Sequence, residues 1–314
     1  MSTGSSIPYR LRPNKAVDRE LFLSLLVRLN PALKLSNYKY IGLGGPFLED
    51  FRLVHARIGI LDMDCIEVEE AVHRRQEFNK PIQSILCIHS SLEDYLATVE
   101  FDSPVILWLD YTEPKHLRMQ IDSFADQALE LPIGSVVRIT LNANPSSLGE
   151  SPRNQEVKPW RLERFRERVA EYYAADLVAN DMSRERYGVS VLRAAKLAVD
   201  KNTLGARDRK ICWALSTNYA DGQAMATATV VILKPDDAGT QALVEDWEYF
   251  STPAEPLVLD MPALSTLERL TMEAHDDPRA KMNFDLPVST MRQNPFESFK
   301  RFYRVFPHFS RVEL

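Results

Sequence analysis

Apolar positions along the chain change their period several times. Between residues 14 and 30, Val17, Leu21, Phe22, Leu25, Leu26 and Leu29 fall at helical spacing, and Asn14 stands where it would cap that helix. Short β-branched and aromatic runs then alternate with helical stretches. Strands are expected over residues 38–42, 64–68, 84–89, 105–110 and 135–141, and helices over 46–57, 69–78, 92–99 and 115–129. Pro46 suits the first turn of its helix, and the stretch before Pro81 ends another. The strand runs are apolar without alternation, Val105-Ile-Leu-Trp-Leu-Asp110 above all. This pattern predicts a parallel sheet with helices on both faces. Right-handed crossovers then gather the strand C-termini on one edge, where ligands bind in open α/β sheets.

Two further β runs, 211–218 and 224–233, flank a turn at 219–223 that contains Asp221-Gly222, so they form a hairpin. Dinucleotide-binding folds usually close on a parallel sixth strand, whereas class I methyltransferases close on an antiparallel pair. The expected fold class is therefore α/β, a Rossmann-like class I methyltransferase sheet of parallel strands plus a terminal antiparallel hairpin, with a helical insert. The insert is 151–210, read as two amphipathic helices, 160–179 and 186–200. It holds 14 Lys/Arg against 9 Asp/Glu, a net of +5 that leaves −11 for the rest. The expected organisation is an N-terminal helical lid (1–30), a core (31–150 with 211–240), the insert, and a mixed C-terminal region (241–314). That last region has a helix near 265–274 and an aromatic, basic tail at 296–309. Trp160, Tyr172 and Tyr173 in the insert read as core residues before base-stacking platforms. No internal repeat is found.

Composition narrows the classes. Across 314 residues, 45% are hydrophobic and 26% charged, an ordinary globular mixture that argues against overall disorder. The net charge of −6 argues against a surface that wraps nucleic acid as a whole. No apolar run reaches the length of a membrane span, and residues 1–13 lack the apolar stretch of a secretory signal. Cys65, Cys87 and Cys212 lie inside apolar runs with no metal-binding spacing and read as buried free thiols of a cytoplasmic protein.

The candidate chemistry follows the strand ends. Only 11 glycines occur, yet Gly42, Gly44 and Gly45 cluster after the first strand, with Phe47 where a third fingerprint glycine would stand. The second strand ends at Glu67, an acid placed to accept ribose hydroxyls; Glu69 lies on the same face, and Glu70 suits the next helix start. After the glycine turn come Glu49 and Asp50. Two carboxylates there repel a pyrophosphate and suit a cationic, phosphate-free ligand, which favours S-adenosylmethionine over a dinucleotide. Ser90 and Ser91 follow the third strand, able to bond adenine or, with Asp94, to cap a helix. The fourth strand delivers Asp110, a candidate to orient or deprotonate an acceptor, with Tyr111 shaping a methyl pocket and Lys115 and His116 as alternative bases. Asp110 with Asn142 and Asn144 makes a poor cation cage, so no metal site is assigned. Arg10, Arg12, Lys15 and Arg19 form a basic cluster, either a solvated helix start or a clamp for an anionic substrate.

Several stretches together resemble a prokaryotic family of S-adenosylmethionine-dependent methyltransferases labelled O-methyltransferases. They are residues 9–15 (Tyr-Arg-Leu-Arg-Pro-Asn-Lys), 40–46 (Tyr-Ile-Gly-Leu-Gly-Gly-Pro), Asp50-Phe51, Ile66-Glu67, 75–81 (Arg-Gln-Glu-Phe-Asn-Lys-Pro) and 108–112 (Trp-Leu-Asp-Tyr-Thr). The resemblance covers residues 8–145 well, thins through the insert and returns weakly at 296–309. It implies the methyltransferase fold and cofactor binding at Gly42, Gly44 and Glu67, with Gly45, Ser90, Ser91 and Asp110 beside them. It names no acceptor. A bacterial methyltransferase acting on a small molecule is the first expectation, with a homodimer left open. The rivals are a non-catalytic S-adenosylmethionine sensor or scaffold, a nucleic-acid methyltransferase using the basic insert, and a nicotinamide-dependent enzyme.

Overall fold

The structure is a computed structural model in which residues 12–288 and 291–306 are described. Residues 9–11 of the first matching stretch, Arg10 of the basic cluster and positions 307–309 of the tail lie outside them. Eight strands form one sheet in the order β3-β2-β1-β4-β5-β7-β6-β8. They are β1 (Lys39–Gly42), β2 (Met63–Glu67), β3 (Ile85–His89), β4 (Val105–Asp110), β5 (Val136–Asn142), β6 (Lys210–Asp221), β7 (Gln223–Leu233) and β8 (Leu257–Leu259). β1 to β5 pair in parallel, β7 runs antiparallel to β5 and β6, and β8 pairs in parallel with β6. The strand order reverses between β1 and β4, so the turns that follow these two strands leave toward opposite faces and open a crevice between them.

Alternate residues of each strand face two separate apolar layers. Ile106 and Trp108 of β4 point to the layer that contains α1 (Pro13–Leu33) and α2 (Glu49–Ile58). Leu107, Leu109 and the following Tyr111 point to the layer of α5 (Leu117–Glu130), α6 (Val157–Val169) and α7 (Tyr187–Thr203). Burial on both faces explains why the strand runs do not alternate in sequence. The remaining helices are α3 (Glu70–Asn79), α4 (Leu92–Thr98), α8 (Ala238–Glu245), α9 (Thr266–Ala274), α10 (Pro278–Met282) and α11 (Pro295–Phe302). Within the basic segment 151–210, α7 lies in the second core layer beside α5, with Val191, Leu192, Ala195 and Val199 fully buried. The tail aromatics Phe299 and Phe302 are likewise core.

Four expectations are corrected. Asn14 does not cap α1. Pro13 starts the helix, and Asn14 lies one residue inside, where its amide donates to Ala220 O and Asp221 Oδ1 and its Oδ1 accepts from Met261 N at 2.7 Å. The cap comes instead from a distant carboxylate: Asp221 accepts the backbone N–H groups of Asn14 (3.3 Å) and Lys15 (2.7 Å). The helix expected over 46–57 breaks at Leu48, which adopts φ 50°, so a 3₁₀ turn (Gly45–Phe47) precedes α2. The five-residue hairpin turn contracts to Gly222 (φ 84°), because Asp221 and Gln223 already pair. The first insert helix ends at Val169 rather than 179, closed by Ala170 at φ 48°.

Residues 13–30 of the expected lid are packed helix, and two charged side chains of that helix are inside the protein. Asp18 and Arg138 of β5 are wholly buried and joined at 2.6 Å. Thr217 (2.6 Å) and Thr227 (3.1 Å) donate to the second Asp18 oxygen, while Arg138 also donates to Thr227 and Thr229. The Arg138 guanidinium lies 4.7 Å from the Phe22 ring centre and 4.8 Å from that of Trp108. One residue on, Arg19 holds Asp50 of α2 by two bonds, 2.6 and 3.1 Å, and lies 5.2 Å from the Trp108 ring centre. Removing one member of such a pair strands its partner without water. Asp18→Ala is therefore expected to cost roughly 3–5 kcal/mol, read as a lower midpoint in urea unfolding.

Candidate cofactor site

The C-terminal ends of β1, β2, β4 and β6 meet at one edge, and each brings a different kind of group. β1 stops at Gly42, and the chain crosses the crevice through Leu43, Gly44 and Gly45. A side chain is excluded at Gly44, since a Cβ there would lie 2.7 Å from Leu48, 2.8 Å from the Cys65 sulfur and 3.0 Å from Phe51. Gly45 needs its left-handed φ of 52°. Gly42 is different, for a Cβ there would meet its nearest atoms at an ordinary 3.5–3.7 Å. The turn is held from outside by α3: Gln76, fully buried, donates to Gly45 O at 3.1 Å, and Asn79 donates to Pro46 O at 2.8 Å. Arg75 lies 5.3 Å from the ring centre of Phe47, the residue in the third fingerprint position. The 75–81 stretch of the sequence is thus a buttress for the glycine turn.

Glu67 ends β2 beside this turn. Gly42 is paired with Cys65, so Glu67 projects one pleat beyond the glycine on the neighbouring strand. It is half-buried, and its Oε1 accepts the N–H of Glu69 at 2.9 Å, which fixes the carboxylate at the strand mouth. Glu69 itself is exposed at the start of α3. Val68, between the two acids, is 63% exposed. Sequence reading passed this open apolar side chain over because it looked like the end of a strand. Of the serines after β3, Ser91 caps α4, accepting from Asp94 N at 3.0 Å and donating to its carboxylate, and Ser90 donates to Ser91 O.

Asp110 ends β4 two residues after Trp108, on the α1 face of the strand. Lys15 stands one helical turn before Arg19 on α1, and Arg19 covers Trp108. Because α1 starts at the strand-end edge, Lys15 stands above Arg19 as Asp110 stands above Trp108. Burial and the neighbouring Arg19 pull the Lys15 ammonium down to about 8, against the opposing charges of Asp110 and Asp50. Sequence reading had Lys15 only as one of four basic residues. The contact that singles it out, Lys15 N–H to Asp221, spans 206 positions.

Other candidates are not brought to this face. Tyr111 is buried on the α5 side, where its hydroxyl donates to Ser123 at 3.2 Å and burial raises it to about 12. His116 is exposed at the start of α5, and Lys115 is exposed beside it. Asn142 and Asn144 brace loops: Asn142 accepts from Asn144 N, and Asn144 caps the turn at Pro145–Leu148. The expected pair of free carboxylates after the glycine turn is also corrected. Asp50 is spent on Arg19 inside the protein, while Glu49 is half-buried at the start of α2. Among the described residues no group of three His, Cys, Asp or Glu gathers as a cation site. The three cysteines are free, Cys65 and Cys212 buried and Cys87 half-buried.

Gly42 and Gly44 differ in packing, so their variants separate packing from ligand contact. Gly44→Ala is expected to lower stability by about 1–3 kcal/mol, because Leu48 and Phe51 must move. Gly42→Ala is expected to leave the thermal midpoint nearly unchanged, so a loss of nucleoside binding in that variant reports on the ligand. Thermal unfolding and calorimetric titration of both variants check this.

Solved structures of similar shape include Trm1 from Pyrococcus horikoshii in complex with S-adenosyl-L-methionine, at 14% identity and TM-score 0.45, covering 74% of this chain. This chain spans 58% of that protein's length. An O-methyltransferase from Bacillus cereus in complex with SAH shares 10% identity at TM-score 0.38, covering 73% of this chain and 83% of its own. The N-methyltransferase NodS from Bradyrhizobium japonicum WM9 shares 10% at TM-score 0.38, covering 69% and 97%. No curated protein matches the chain. A family model described as "Putative O-methyltransferase" matches residues 7–314. With nearly its whole length matched and a methyltransferase strand order in its sheet, the chain belongs to that O-methyltransferase family.

Proposed function

We propose that the strand-end edge binds S-adenosylmethionine across β1, β2 and β4 and that the enzyme moves its methyl group to a small-molecule acceptor. The observation that carries this reading is the meeting of the Gly42–Gly45 turn with Glu67 on the next strand and Asp110 on the other side of the switch point. In it, Glu67 accepts the two ribose hydroxyls, Val68 underlies the adenine, and Ser90 and Ser91 border the base through the backbone they cap. Gly42, Gly44 and Gly45 let the main chain approach the ligand.

When bound, the cofactor supplies an electrophilic methyl group on a positively charged sulfur. This chain's own residues supply placement. An acceptor held in line with the methyl gains most of its rate from orientation. Asp110, half-buried at the strand mouth, takes the role of orienting the acceptor or receiving its proton. Tyr111, turned toward α5, supports Asp110 from behind the strand, and His116 stands outside this inner ring.

A small acceptor is favoured over nucleic acid by how the basic segment spends its charge. Arg164 pairs with Glu167, Arg186 with Asp181, Arg193 with Asp176 and Lys196 with Asp200. Arg168 is turned inward, donating to Ser147 O at 3.0 Å. Each of these pairings neutralises a cation that a phosphate backbone would otherwise meet. The three free thiols suit a reducing compartment, so a cytoplasmic location belongs to the proposal. No helix among the described residues is long and apolar enough to cross a membrane.

Calorimetry is expected to show S-adenosylmethionine and S-adenosylhomocysteine binding and NAD not binding. Glu67→Gln should weaken the first two by on the order of 10–100-fold, the loss of charged hydrogen bonds to the ribose. NAD binding in their place would exclude the proposal. Labelled methyl should enter a small-molecule fraction of cell extract. Label lost on nuclease treatment would move the acceptor to nucleic acid. Extract that never takes label, with cofactor bound, would leave a sensor.

A further inference from the structure

Two of the three cysteines stand side by side beneath the glycine turn. Cys65 of β2 and Cys87 of β3 are paired directly in register. Both side chains face the layer of α1 and α2. Neighbouring strands run about 4.8 Å apart, inside the roughly 4.4–6.8 Å between α-carbons that a disulfide spans. The Cys65 thiol donates a hydrogen bond to the Cys87 sulfur. Cys65 is wholly buried against the turn, its sulfur 2.8 Å from the place a Gly44 Cβ would take. Cys87 is half-buried on β3, the edge strand of the sheet. α3 lies over the pair: His73 Nε2 donates to Cys87 O at 3.2 Å, and Glu77 and Lys80, themselves joined at 3.0 Å, face the Cys87 sulfur. Cys212 lies apart on β6, with β7, β5, β4 and β1 between it and β2.

We propose that Cys65 and Cys87 are a thiol modification site, which hydrogen peroxide converts to a disulfide beneath the Gly42–Gly45 turn, loosening the hold of this edge on its nucleoside. The effect on the nucleoside rests on the reading of the edge as an S-adenosylmethionine site; the disulfide itself does not. Cys87 reacts first. The hydrogen bond from Cys65 pulls its thiol below the ordinary range, against burial and Glu77 and with help from Lys80, while burial and the bond to Cys87 push Cys65 well up. The Cys87 thiolate attacks one peroxide oxygen, the O–O bond breaks, and the departing hydroxide takes up a proton to become water. This leaves a sulfenic acid on Cys87. Cys65 then attacks the Cys87 sulfur; the S–S bond forms, the S–O bond breaks, and the departing hydroxide takes the Cys65 proton. Two thiols have lost two electrons and two protons, and one peroxide has become two waters. A dithiol reductant reverses the change, as suits a thiol pair in a reducing compartment. Bond formation draws the Cys65 sulfur toward β3 and away from Gly44. The turn thereby loses part of its floor, and α3, which holds Gly45 O and Pro46 O through Gln76 and Asn79, is tied through His73 to the same β3 residue.

The full chain is treated with hydrogen peroxide, its remaining thiols are alkylated, and the tryptic peptides are weighed without reduction; Arg74, Arg75 and Lys80 allow cleavage between the two cysteines. A Cys65–Cys87 cross-link is expected, with Cys212, pushed up to about 11 by burial, alkylated after unfolding as in the untreated protein. Cys65 and Cys87 recovered as alkylated thiols, or Cys87 over-oxidised with no link, overturns the site. In Cys65→Ala, Cys87 should stop at the sulfenic acid and take up dimedone; dimedone found instead on Cys65 in Cys87→Ser overturns Cys87 as the first thiol. S-adenosylhomocysteine is then titrated into the reduced, oxidised and re-reduced wild type. Oxidation is expected to weaken binding on the order of tenfold and re-reduction to restore it, while Cys87→Ser binds alike before and after peroxide. Equal affinity of the reduced and cross-linked wild type overturns the coupling to the edge. A reduced protein that does not bind S-adenosylhomocysteine overturns the cofactor reading and the coupling with it, and the cross-link then stands or falls on the peptide masses.

Discussion

Two ion pairs on consecutive residues of α1 set the position of almost everything at the strand-end edge. Asp18 reaches into the sheet to Arg138, and Arg19 reaches sideways to Asp50 on α2. Charges removed from water this completely are costly, and the pairs are tolerable because each oxygen of Asp18 has a donor and Arg138 lies between two aromatic faces. Such pairs gain little stability over well-packed apolar residues. What they provide is a single register, since sliding α1 by one turn would leave up to four charges unpartnered in the core. The rest of α1 is apolar around most of its girth and would pack in more than one way.

That register carries upward to the edge. With Arg19 fixed over Trp108, the first turn of α1 must stand over the end of β4, and the hairpin carboxylate Asp221 closes the arrangement by capping the helix. The glycine turn is secured separately. Gln76 and Asn79 hold it from α3 while Leu48, Phe51 and Cys65 fill the space a side chain at Gly44 would take. Two independent supports therefore meet across the crevice, one through α1 and the hairpin, the other through α3. A ligand bound there, as proposed, would find both walls in place before it arrived, which is the economy that preorganisation gives a binding site.

How much of this could be read from the sequence follows from the range of the interactions involved. The five parallel strands were legible within one or two residues, because burial on both faces leaves unbroken apolar runs such as residues 105–109. The antiparallel end of the sheet followed from the hairpin, and the neighbouring positions of Gly42 and Glu67 from their places after consecutive strands. The misses are long-range or conformational. Asn14 looks like a cap because nothing nearby competes for the role, yet the capping group arrives from more than two hundred residues away. Asp50 looks like a free acid at a helix start until α1 brings Arg19 against it. Leu48 gives no sign of a left-handed backbone; its side chain is wholly buried, and the break in the helix is the way the chain seats it. Tyr111 was assigned to the pocket by adjacency to Asp110, whereas the two-residue period of a strand sends neighbours to opposite faces.

The correction at Asp50 changes the electrostatic reasoning about the ligand as well. A row of carboxylates after the glycine turn had been the reason to favour a cationic, phosphate-free ligand. With Asp50 neutralised, the preference rests, in the proposed reading, on the carboxylates at the strand ends, Glu67 after β2 and Asp110 after β4. A pyrophosphate lying along the turn would face these two carboxylates. In the proposed reading, a nucleoside with a diol at one end and a positive sulfur beyond it would instead find a hydrogen-bond acceptor in Glu67 and an opposite charge in Asp110. The preference for a cationic, phosphate-free ligand in that reading therefore survives the loss of the Asp50 carboxylate that first suggested it.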